Sequence, residues 1–382
     1  MTTLEDVETP FLTVDRSVVL ANSARLRARL DGVGVGLRQH VKTAKSIEVA
    51  RLLHDGTAGP ITVSTLAEAE AFADAGYVDI LYAVGIAPHK LARVATLRQR
   101  GVDLVVLLDS VEQAAALAAD QTGLPGIPAL IEIDCDGHRS GVKPDAEELI
   151  TIGRLLHEGG ATLLGVMTHA GSSYDCDSVA AIVAMAEQER SLAVHGAERL
   201  RAAGLPAPVV SVGSSPTATY ARDLTGVTEV RAGVFVFFDL VMAGIEVCKQ
   251  DDIALSVLTT VIGHQKDRGW IITDAGWMAM SRDRGTAKQG IDQGYGVVCD
   301  VRGTPIDGLI MEQANQEHGV IAHRSGNPAL TPALPVGTLL RILPNHACAT
   351  GAQHDRYHVV QGRCNPPADQ EICGIWSRFS GW

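Results

Sequence analysis

The stretch that decides the fold is Leu37-Arg38-Gln39-His40-Val41-Lys42-Thr43-Ala44-Lys45-Ser46. It follows a helix-period segment, Ser17 to Leu30, and a glycine-containing loop, so we expect a first buried strand that ends in a loop. Lys42 then lies at a strand end, either as a solvated side chain or as a desolvated amine that can form a Schiff base. Alone, the stretch favours the solvated side chain, because lysines are rarely buried without a task. The rest of the chain decides between the two.

Composition and charge exclude several classes of protein. With 382 residues, of which 46% are hydrophobic and 20% charged, the chain can bury a large core, and about two domains are expected. A formal charge of -12 without a lysine- or arginine-rich run argues against nucleic acid or a membrane as partner. No apolar stretch reaches the roughly 18 residues of a spanning helix, and Met1 to Asp6 lack the features of a signal peptide. We therefore expect a cytoplasmic protein.

Short β-branched or apolar runs alternate with longer helix-period segments as far as Val236. Eight βα units over roughly 200 to 250 residues are what a closed parallel barrel of the (β/α)8 TIM type requires. An open doubly wound sheet would alternate in the same way. The count of eight, and the absence of a glycine fingerprint after the first strand, favour the barrel. The predicted strands are Leu37 to Thr43, Ile61 to Leu66, Asp79 to Val84, Asp103 to Asp109, Ala129 to Cys135, Leu163 to Ala170, Pro208 to Ser215 and Glu229 to Val236.

After Val241 the pattern changes to strand-like segments separated by turns, with no long helical segment among them. Thr9 to Asp15, at the start of the chain, is also strand-like and has no place in a count of eight. We therefore expect an α/β barrel domain at residues 16–245 and a mainly β domain at residues 246–382, joined by residues 1–15. The predicted strands of the second domain are Ile253 to Gly263, Trp270 to Asp274, Tyr295 to Val301, Gly319 to His323, Thr338 to Leu343 and His358 to Val360.

A barrel of this type carries its active groups at the carboxyl ends of its strands. His40 and Lys42 follow the first strand, Arg139 follows the fifth, and His169 and Tyr174 follow the sixth. These ends bring a lysine, an arginine, two imidazoles and a phenol to one mouth. Fold alone does not say which chemistry they perform.

The loops after strands seven and eight are the usual phosphate site of this architecture. Gly213, Ser214, Ser215 and Gly233 are small enough to let backbone N–H groups close on phosphate oxygens, although ordinary turns would have the same composition. A phosphate site and a Schiff-base lysine at the same mouth together suggest pyridoxal 5'-phosphate as cofactor. This combination favours the second interpretation of Lys42.

Five motifs in order resemble those of a known family. They are His40-Val41-Lys42-Thr43-x-Lys45-Ser46, Asp134-x-Asp136-Gly137-x-Arg139-x-Gly141-Val142, Thr168-His169-Ala170-Gly171-x-Ser173-Tyr174, Glu229-x-Arg231-x-Gly233 and Pro344-Asn345-His346-x-Cys348. Together they resemble the fold-type III pyridoxal-phosphate enzymes of the D-serine dehydratase and D-threonine aldolase group, over essentially the whole chain. The resemblance implies an alanine-racemase-like architecture, with an N-terminal (β/α)8 barrel, a β domain that includes the chain start, and a homodimer.

The resemblance also implies roles for individual residues. Lys42 holds the cofactor and is the catalytic lysine, Arg139 faces the phenolic oxygen, and Tyr174 lies near the ring nitrogen. The backbones of Gly213 to Ser215 and of Gly233-Val234 hold the phosphate. The cofactor is thus expected to lie across the ends of the first, fifth, sixth, seventh and eighth strands.

His346 and Cys348 form a candidate metal site. By composition a lone His-x-Cys is usually structural, because cysteine is mostly a small buried hydrophobic residue. On a strand, however, residues i and i+2 share a face, so the imidazole and the thiolate could converge on one ion. This ligand pair suits zinc, with manganese, magnesium and cobalt left open. In the family that the chain resembles, dehydratases carry His-x-Cys at this metal site and aldolases carry His-x-Asp, so Cys348 implies a dehydratase.

The implied reaction is the dehydration of a D-β-hydroxy amino acid. Lys42 takes the α-proton, the metal helps the β-hydroxyl leave, and the products are a 2-oxo acid and ammonia. Several stretches most resemble family members that convert D-threo-3-hydroxyaspartate to oxaloacetate; they are Asp79 to Val84, Ala87 to His89, Asp136 to Gly141 and Asn345 to Thr350. The alternatives are a D-serine dehydratase, a D-threonine or D-3-hydroxyaspartate aldolase that releases glycine, and a non-catalytic cofactor-binding barrel.

Overall fold

The computed structural model describes residues 2–119, 126–362 and 371–382. It contains two compact units. The barrel unit is Ala24–Gly233 with Ser380–Trp382, and the sheet unit is Met1–Ser23 with Val234–Phe379. The domain limits drawn from the sequence, 16–245 and 246–382 with 1–15, stay a prediction. Within the described ranges, no helix combines the length and the apolar character that a membrane span requires.

The strands are numbered β1 to β17 in chain order. In the barrel unit they are β2 Gly36–His40, β3 Ile61–Val63, β4 Asp79–Gly85, β5 Asp103–Leu108, β6 Pro128–Ile133, β7 Thr162–Thr168, β8 Val209–Val212 and β9 Glu229–Ala232. In the sheet unit they are β1 Phe11–Asp15, β10 Leu255–Gln265, β11 Trp270–Thr273, β12 Gly296–Cys299, β13 Pro305–Ala314, β14 Gly319–His323, β15 Leu339–Pro344, β16 Arg356–Val360 and β17 Gly374–Ser377.

The α-helices are numbered in the same way, and the longer ones alternate with the barrel strands. They are α1 Arg16–Asp31, α2 Ile47–Leu53, α3 Leu66–Asp74, α4 Leu91–Gln99, α5 Val111–Ala118, α6 Glu147–Glu158, α7 Val179–Ala202, α8 Ser215–Tyr220, α9 Leu240–Gly244, α10 Trp277–Met280 and α11 Ala347–Gly351. The last three lie in the sheet unit and are short, as expected from the lack of a helical pattern after Val241.

Strands β2 to β9 form a closed parallel barrel in chain order, which confirms the predicted (β/α)8 fold. The barrel closes where β9 pairs with β2, from Gly36 opposite Glu229 to Gln39 opposite Ala232. Buried apolar side chains of β4 to β7 form one cluster, which consists of Leu81, Val105, Leu107, Leu130 and Met167. All eight predicted barrel strands are present, so the alternation of buried runs and helices was sufficient to predict the architecture.

Seven of the eight barrel strands end earlier than the sequence predicts, and β4 ends one residue later, at Gly85. For example, β8 stops at Val212, because Gly213 has φ = +134° and a Cβ there would lie 2.1 Å from the Arg231 carbonyl oxygen. Only glycine tolerates both this φ and this close approach. Ser214 then caps α8, with its hydroxyl accepting a hydrogen bond from the Thr217 N–H. The polar residues at the mouth therefore lie on loops rather than on the strands themselves.

The sheet unit contains one nine-stranded sheet in the order β11-β14-β13-β12-β15-β10-β1-β16-β17. Strand β1 lies between β10, to which it is antiparallel, and β16, to which it is parallel. This placement confirms that the strand at the chain start joins the β domain. Two strands, β13 and β17, were missed, and β13 carries Pro305 and Gly308, which are typical of turns and mask the strand pattern.

Candidate functional sites

Lys42 lies in the turn that follows β2, as predicted, and its side chain is half-buried. The Lys45 N–H donates to the Val41 carbonyl oxygen at 2.8 Å and closes this turn. Lys45 has φ = 44°, and its Nζ lies 3.0 Å from Oε1 of the buried Glu68. Glu68 also accepts hydrogen bonds from the N–H and hydroxyl of Ser64. The turn is thus fixed to the start of α3, and the Lys45 amine is directed to Glu68.

Two histidines near Lys42 are held neutral. Burial and the charge of Lys42 lower the pKa of His40 well below its usual value. Burial and the same charge lower the pKa of His169 to about 3, and the charges of Arg139 and Arg231 act in the same direction. The cations Lys42, Arg139 and Arg231 near these neutral rings suit an anionic ligand.

Arg231 and Glu189 are buried and connect the ends of β7 and β8. Arg231 is 3% exposed and donates to the Ser211 hydroxyl at 2.7 Å and to the Thr168 carbonyl oxygen at 2.5 Å. Burial lowers its pKa, although nearby glutamates, including Glu189, oppose this shift. Glu189, on α7, is 2% exposed, and burial raises its pKa. These two residues hold the ends of β7 and β8 in register.

The predicted phosphate loop is partly occupied by bonds within the protein. The Gly213 N–H donates to Glu189 at 3.1 Å, and the Ser214 N–H donates to the Thr217 hydroxyl at 3.0 Å. The Ser214 hydroxyl also lies 2.8 Å from that of Ser173. Two of the amides that the sequence assigned to the phosphate are therefore engaged in bonds within the protein.

Gly233 and Val234 follow β9. A Cβ at Gly233 would lie 2.9 Å from the His40 carbonyl oxygen, so a glycine lets the ends of β9 and β2 approach each other. Val234 begins the 3-10 helix Val234–Val236. The first N–H groups of a helix lack partners within that helix and attract anions. The neighbouring strands β2, β8 and β9 are thus followed by Lys42, Ser215 and Gly233. A cofactor with both an aldehyde and a phosphate group requires an amine and a phosphate site this close together in the barrel.

Arg139 and Tyr174 lie on the loops after β6 and β7. The Arg139 side chain is 52% exposed, and its Nη2 lies 3.9 Å from Oε1 of Glu132. Tyr174 belongs to the 3-10 helix Gly171–Asp175, with its ring centroid 6.2 Å from that of His169. Both residues therefore follow the strands from which the sequence predicted them to act.

His346 and Cys348 do not lie on a strand, so the predicted geometry was wrong. Strand β15 ends at Pro344, His346 is the N-cap of α11, and Cys348 lies within that helix. The buried Asp239 fixes this helix start, because its Oδ2 accepts the Ala347 N–H at 2.9 Å. His346 and Cys348 still come within hydrogen-bonding reach of each other, through the turn of a helix rather than through the face of a strand.

The surroundings of His346 are anionic. Its Nδ1 lies 2.7 Å from Oδ2 of Asp283. Partial burial lowers the pKa of His346, but hydrogen bonds with Asp283 and Cys348 and the charge of Asp239 raise it to about 11. The hydrogen bond from His346 in turn lowers the pKa of Asp283. Such an environment attracts a cation.

The donors at this site fit a divalent ion with an open coordination sphere. Across residues 2–119, 126–362 and 371–382, no group of three or more His, Cys, Asp or Glu side chains is arranged to hold a metal. His346 and Cys348 are therefore a pair of candidate ligands rather than part of a larger cluster. Imidazole and thiolate suit zinc, and catalytic sites keep positions open for water or substrate. The contact of the Asp283 carboxylate with Nδ1 is of the kind that metal-bound histidines usually make with a carboxylate.

Sequence reasoning missed Glu189, Asp239 and Asp283. Each contacts a site residue that is distant in the sequence. Glu189 forms a hydrogen bond with Gly213, 24 residues away, and Asp283 forms one with His346, 63 residues away. Glu189 lies in a helix rich in charged residues and has no local signal of burial. Asp239 and Asp283 lie in short loops, where an aspartate is commonplace.

Two protein-family models match the chain. The model of the alanine racemase N-terminal domain matches residues 14–241, and that of a putative serine dehydratase domain matches residues 254–360. The matches follow one another along the chain, with residues 242–253 between them.

Several known proteins are similar over the whole chain. The D-threo-3-hydroxyaspartate dehydratase of Delftia sp. (strain HT23) is 54% identical, over 100% of this chain and 99% of its own. Its solved structure has a TM-score of 0.95 and covers 100% of both chains. A D-threo-3-hydroxyaspartate dehydratase mutant with one cysteine replaced by alanine, solved in the metal-free form, is 53% identical with a TM-score of 0.95 and 100% of both chains covered. The 3-hydroxy-D-aspartate aldolase of Paracoccus denitrificans (strain Pd 1222) is 27% identical over 92% of this chain and 88% of the aldolase.

Proposed function

We propose that this chain, which belongs to the D-serine dehydratase and D-threonine aldolase family of fold-type III pyridoxal-phosphate enzymes, dehydrates D-threo-3-hydroxyaspartate. One water leaves the substrate, the resulting enamine tautomerises to an imine, and a second water hydrolyses the imine to oxaloacetate and ammonia. The single observation that carries this proposal is the 54% identity, end to end, with the Delftia dehydratase.

Lys42 is proposed to carry the cofactor and to move the substrate proton. Pyridoxal 5'-phosphate, when bound, acts as an electron sink that makes the α-proton of an amino acid removable. The Nζ of Lys42 then takes this proton as general base. Because the pKa values of His40 and His169 are lowered, neither ring is an imidazolium at neutral pH, and neither competes as a proton donor.

The other residues at the barrel mouth are proposed to bind and orient. Arg139 faces the phenolic oxygen and Tyr174 the ring nitrogen of the cofactor. The start of α8 at Ser215 and the Gly233-Val234 backbone hold the phosphate, with Gly213 and Ser214 shaping the loop rather than donating to it. Support comes from the bonds that already engage the Gly213 and Ser214 amides.

His346 and Cys348 are proposed to hold a divalent metal, with zinc the first choice and manganese, magnesium or cobalt as alternatives. A bound Lewis acid lowers the barrier to departure of a hydroxyl group, which is otherwise a poor leaving group. Two observations support this assignment. The neighbours of His346 are anionic, and replacing one cysteine of a related dehydratase accompanies a metal-free form.

A substrate panel tests the proposal. The protein, loaded with pyridoxal 5'-phosphate and zinc, is offered D-serine, D-threonine and the four stereoisomers of 3-hydroxyaspartate, and ammonia, oxo acid and glycine are measured. We expect ammonia and oxaloacetate in equal amounts from D-threo-3-hydroxyaspartate, and loss of the reaction with a chelator. Ammonia chiefly from D-serine would replace the proposed substrate.

Aldol cleavage is the second candidate, because the aldolase from Paracoccus denitrificans also aligns over most of this chain. An aldolase takes the proton from the β-hydroxyl and breaks the Cα–Cβ bond. Release of glycine and an aldehyde without ammonia, in the same panel, would decide for this reaction and against dehydration.

A further inference from the structure

We propose that Asp283 is the positioning residue of the metal site, and that it turns the His346 ring so that Nε2 faces the bound ion. This inference rests on the proposed metal-binding role of His346 and Cys348. It assigns to Asp283 a function in metal affinity that is separate from ligation and from the chemistry at Lys42.

The hydrogen bond between Asp283 and His346 selects one tautomer of the ring. Oδ2 of Asp283 lies 2.7 Å from Nδ1 of His346. A carboxylate only accepts, so Nδ1 carries hydrogen in the neutral ring and the lone pair lies on Nε2. Carboxylate partners of this kind fix both the tautomer and the orientation of metal-bound histidines. Cys348, two residues further along the chain, lies within hydrogen-bonding reach of the same ring.

Asp283 is held by the loop that carries it. Its Oδ1 accepts the Gly285 N–H at 2.7 Å, and its carbonyl oxygen accepts a hydrogen bond from Nδ2 of Asn345 at 3.1 Å. Asn345 also donates to the Gly294 carbonyl oxygen and accepts from the Thr286 hydroxyl. Because Asn345 directly precedes His346, the side chains of Asn345 and Asp283 form two independent links between this loop and the histidine.

The geometry favours orientation over ligation. Both carboxylate oxygens of Asp283 already accept hydrogen bonds, one from Gly285 and one from His346. Asp239 differs, because it is 2% exposed and both its oxygens accept backbone N–H groups, from Met242 and Ala347. Asp239 therefore fixes the start of α11, whereas Asp283 acts on the His346 ring itself.

The test compares the wild type with Asp283→Ala, Asp283→Asn and the control Asp292→Asn, each as the full chain loaded with pyridoxal 5'-phosphate. Asp292 is a good match, since it lies in the same loop and pairs with Arg284 at 2.8 Å. Dissociation constants are measured for Co²⁺ by titration against a competing chelator, together with the Co²⁺ visible spectrum and the thermal unfolding midpoint of the metal-free protein.

We expect Asp283→Ala to weaken Co²⁺ binding about 10- to 100-fold, with Asp283→Asn less affected and Asp292→Asn unchanged. The cobalt–thiolate absorption from Cys348 should persist at saturating metal, while the ligand-field bands that report geometry shift. Unchanged affinity and bands in Asp283→Ala would overturn the inference, as would a loss of affinity that Asp292→Asn shares. A wild type that binds no Co²⁺ would instead refute the proposed metal site.

Discussion

His169 in the barrel unit and His346 in the sheet unit are both partly buried, yet their pKa values shift in opposite directions. Burial and the cations Lys42, Arg139 and Arg231 lower the pKa of His169 to about 3. Hydrogen bonds with Asp283 and Cys348 overcome burial and raise that of His346 to about 11. Burial disfavours the charged form of both rings; the cations near His169 add to this effect, whereas the anionic neighbours of His346 reverse it.

This difference supports the ligands proposed for the two sites. A cluster of cations around neutral rings suits an anionic ligand, such as the phosphate of a cofactor or the carboxylates of a dicarboxylic amino acid. Anions around one imidazole suit a divalent cation. On the proposed assignment the anion site lies in the barrel unit and the cation site in the sheet unit, and perturbing one site should leave ligand binding at the other intact.

The largest effect is expected at Lys42. Lys42→Ala removes both the covalent anchor of the cofactor and the general base, so ammonia release should fall by at least about 10³-fold. The initial rate with D-threo-3-hydroxyaspartate measures this loss. Lys90→Arg, in the same unit, serves as control and should keep the wild-type rate. Activity within tenfold of wild type in Lys42→Ala would remove the barrel mouth as the catalytic centre.

The next effect is expected at the metal pair. His346→Ala and Cys348→Ala should each lower activity about 100-fold, because Lewis-acid stabilisation is worth several kcal/mol. Cofactor absorption should stay unchanged, and excess metal should partly restore the rate. Cys373→Ala, at an exposed cysteine of the same unit, is the control. If cofactor absorption disappeared along with activity, the independence of the two sites would be wrong.

Below pH 6.5, the dependence of the unfolding free energy on pH should come from the buried histidines of the barrel. The unfolded chain binds a proton at His169 near pH 6.5 and the folded chain only near pH 3, so acid favours unfolding between these values. His169→Gln should therefore reduce the slope of unfolding free energy against pH by up to about 1.4 kcal/mol per pH unit. Urea titrations of the ligand-free protein at pH 6.5, 5.5 and 4.5 measure this slope.

For His346 the sign is reversed. Its raised pKa stabilises the metal-free fold below pH 6.5, and this contribution is lost as the pH rises through about 11. The acid slope of His346→Gln should therefore match that of the wild type. Equal acid slopes in His169→Gln and the wild type would contradict the assigned difference between the two rings.

The smallest effect is expected at Arg139, whose side chain is 52% exposed and so largely screened by solvent. Arg139→Gln should weaken cofactor binding about 3- to 10-fold, because solvent screening at this exposed side chain reduces the roughly 1.5 to 3 kcal/mol of a hydrogen bond to a charged group. Fluorescence titration with pyridoxal 5'-phosphate measures the affinity. Metal affinity should not change, and a change there would break the separation between the sites.

The barrel was predictable because eight buried parallel strands leave a regular alternation in the sequence, and their count favoured a barrel over an open sheet. The strand ends then place Lys42, Arg139 and Tyr174 on loops at the mouth. The β domain was predictable only in part. Strand β13 begins at Pro305 and contains Gly308, so its local sequence is typical of a turn, and pairing with β12 and β14 overrides it.

The fine structure of the sites was less predictable. The residue types in His-x-Cys identified a candidate metal pair. The spacing of two residues, however, predicted a strand where the structure has the short helix α11, and the start of this helix is held by the distant Asp239. Likewise, the glycine and serine after β8 looked like phosphate donors, yet Glu189 and Thr217 take two of their amides. These contacts are set by tertiary packing, which leaves no local signal.

Native mass spectrometry of three proteins, after incubation with pyridoxal 5'-phosphate and Zn²⁺ and reduction with borohydride, tests most directly whether the two sites have separate ligands. Lys42→Ala should retain zinc and carry no covalently fixed cofactor. The double variant His346→Ala with Cys348→Ala should carry one fixed cofactor and no zinc, and the wild type should carry both. Cofactor fixed to Lys42→Ala, or zinc retained by the double variant, would contradict the assignment of the two sites.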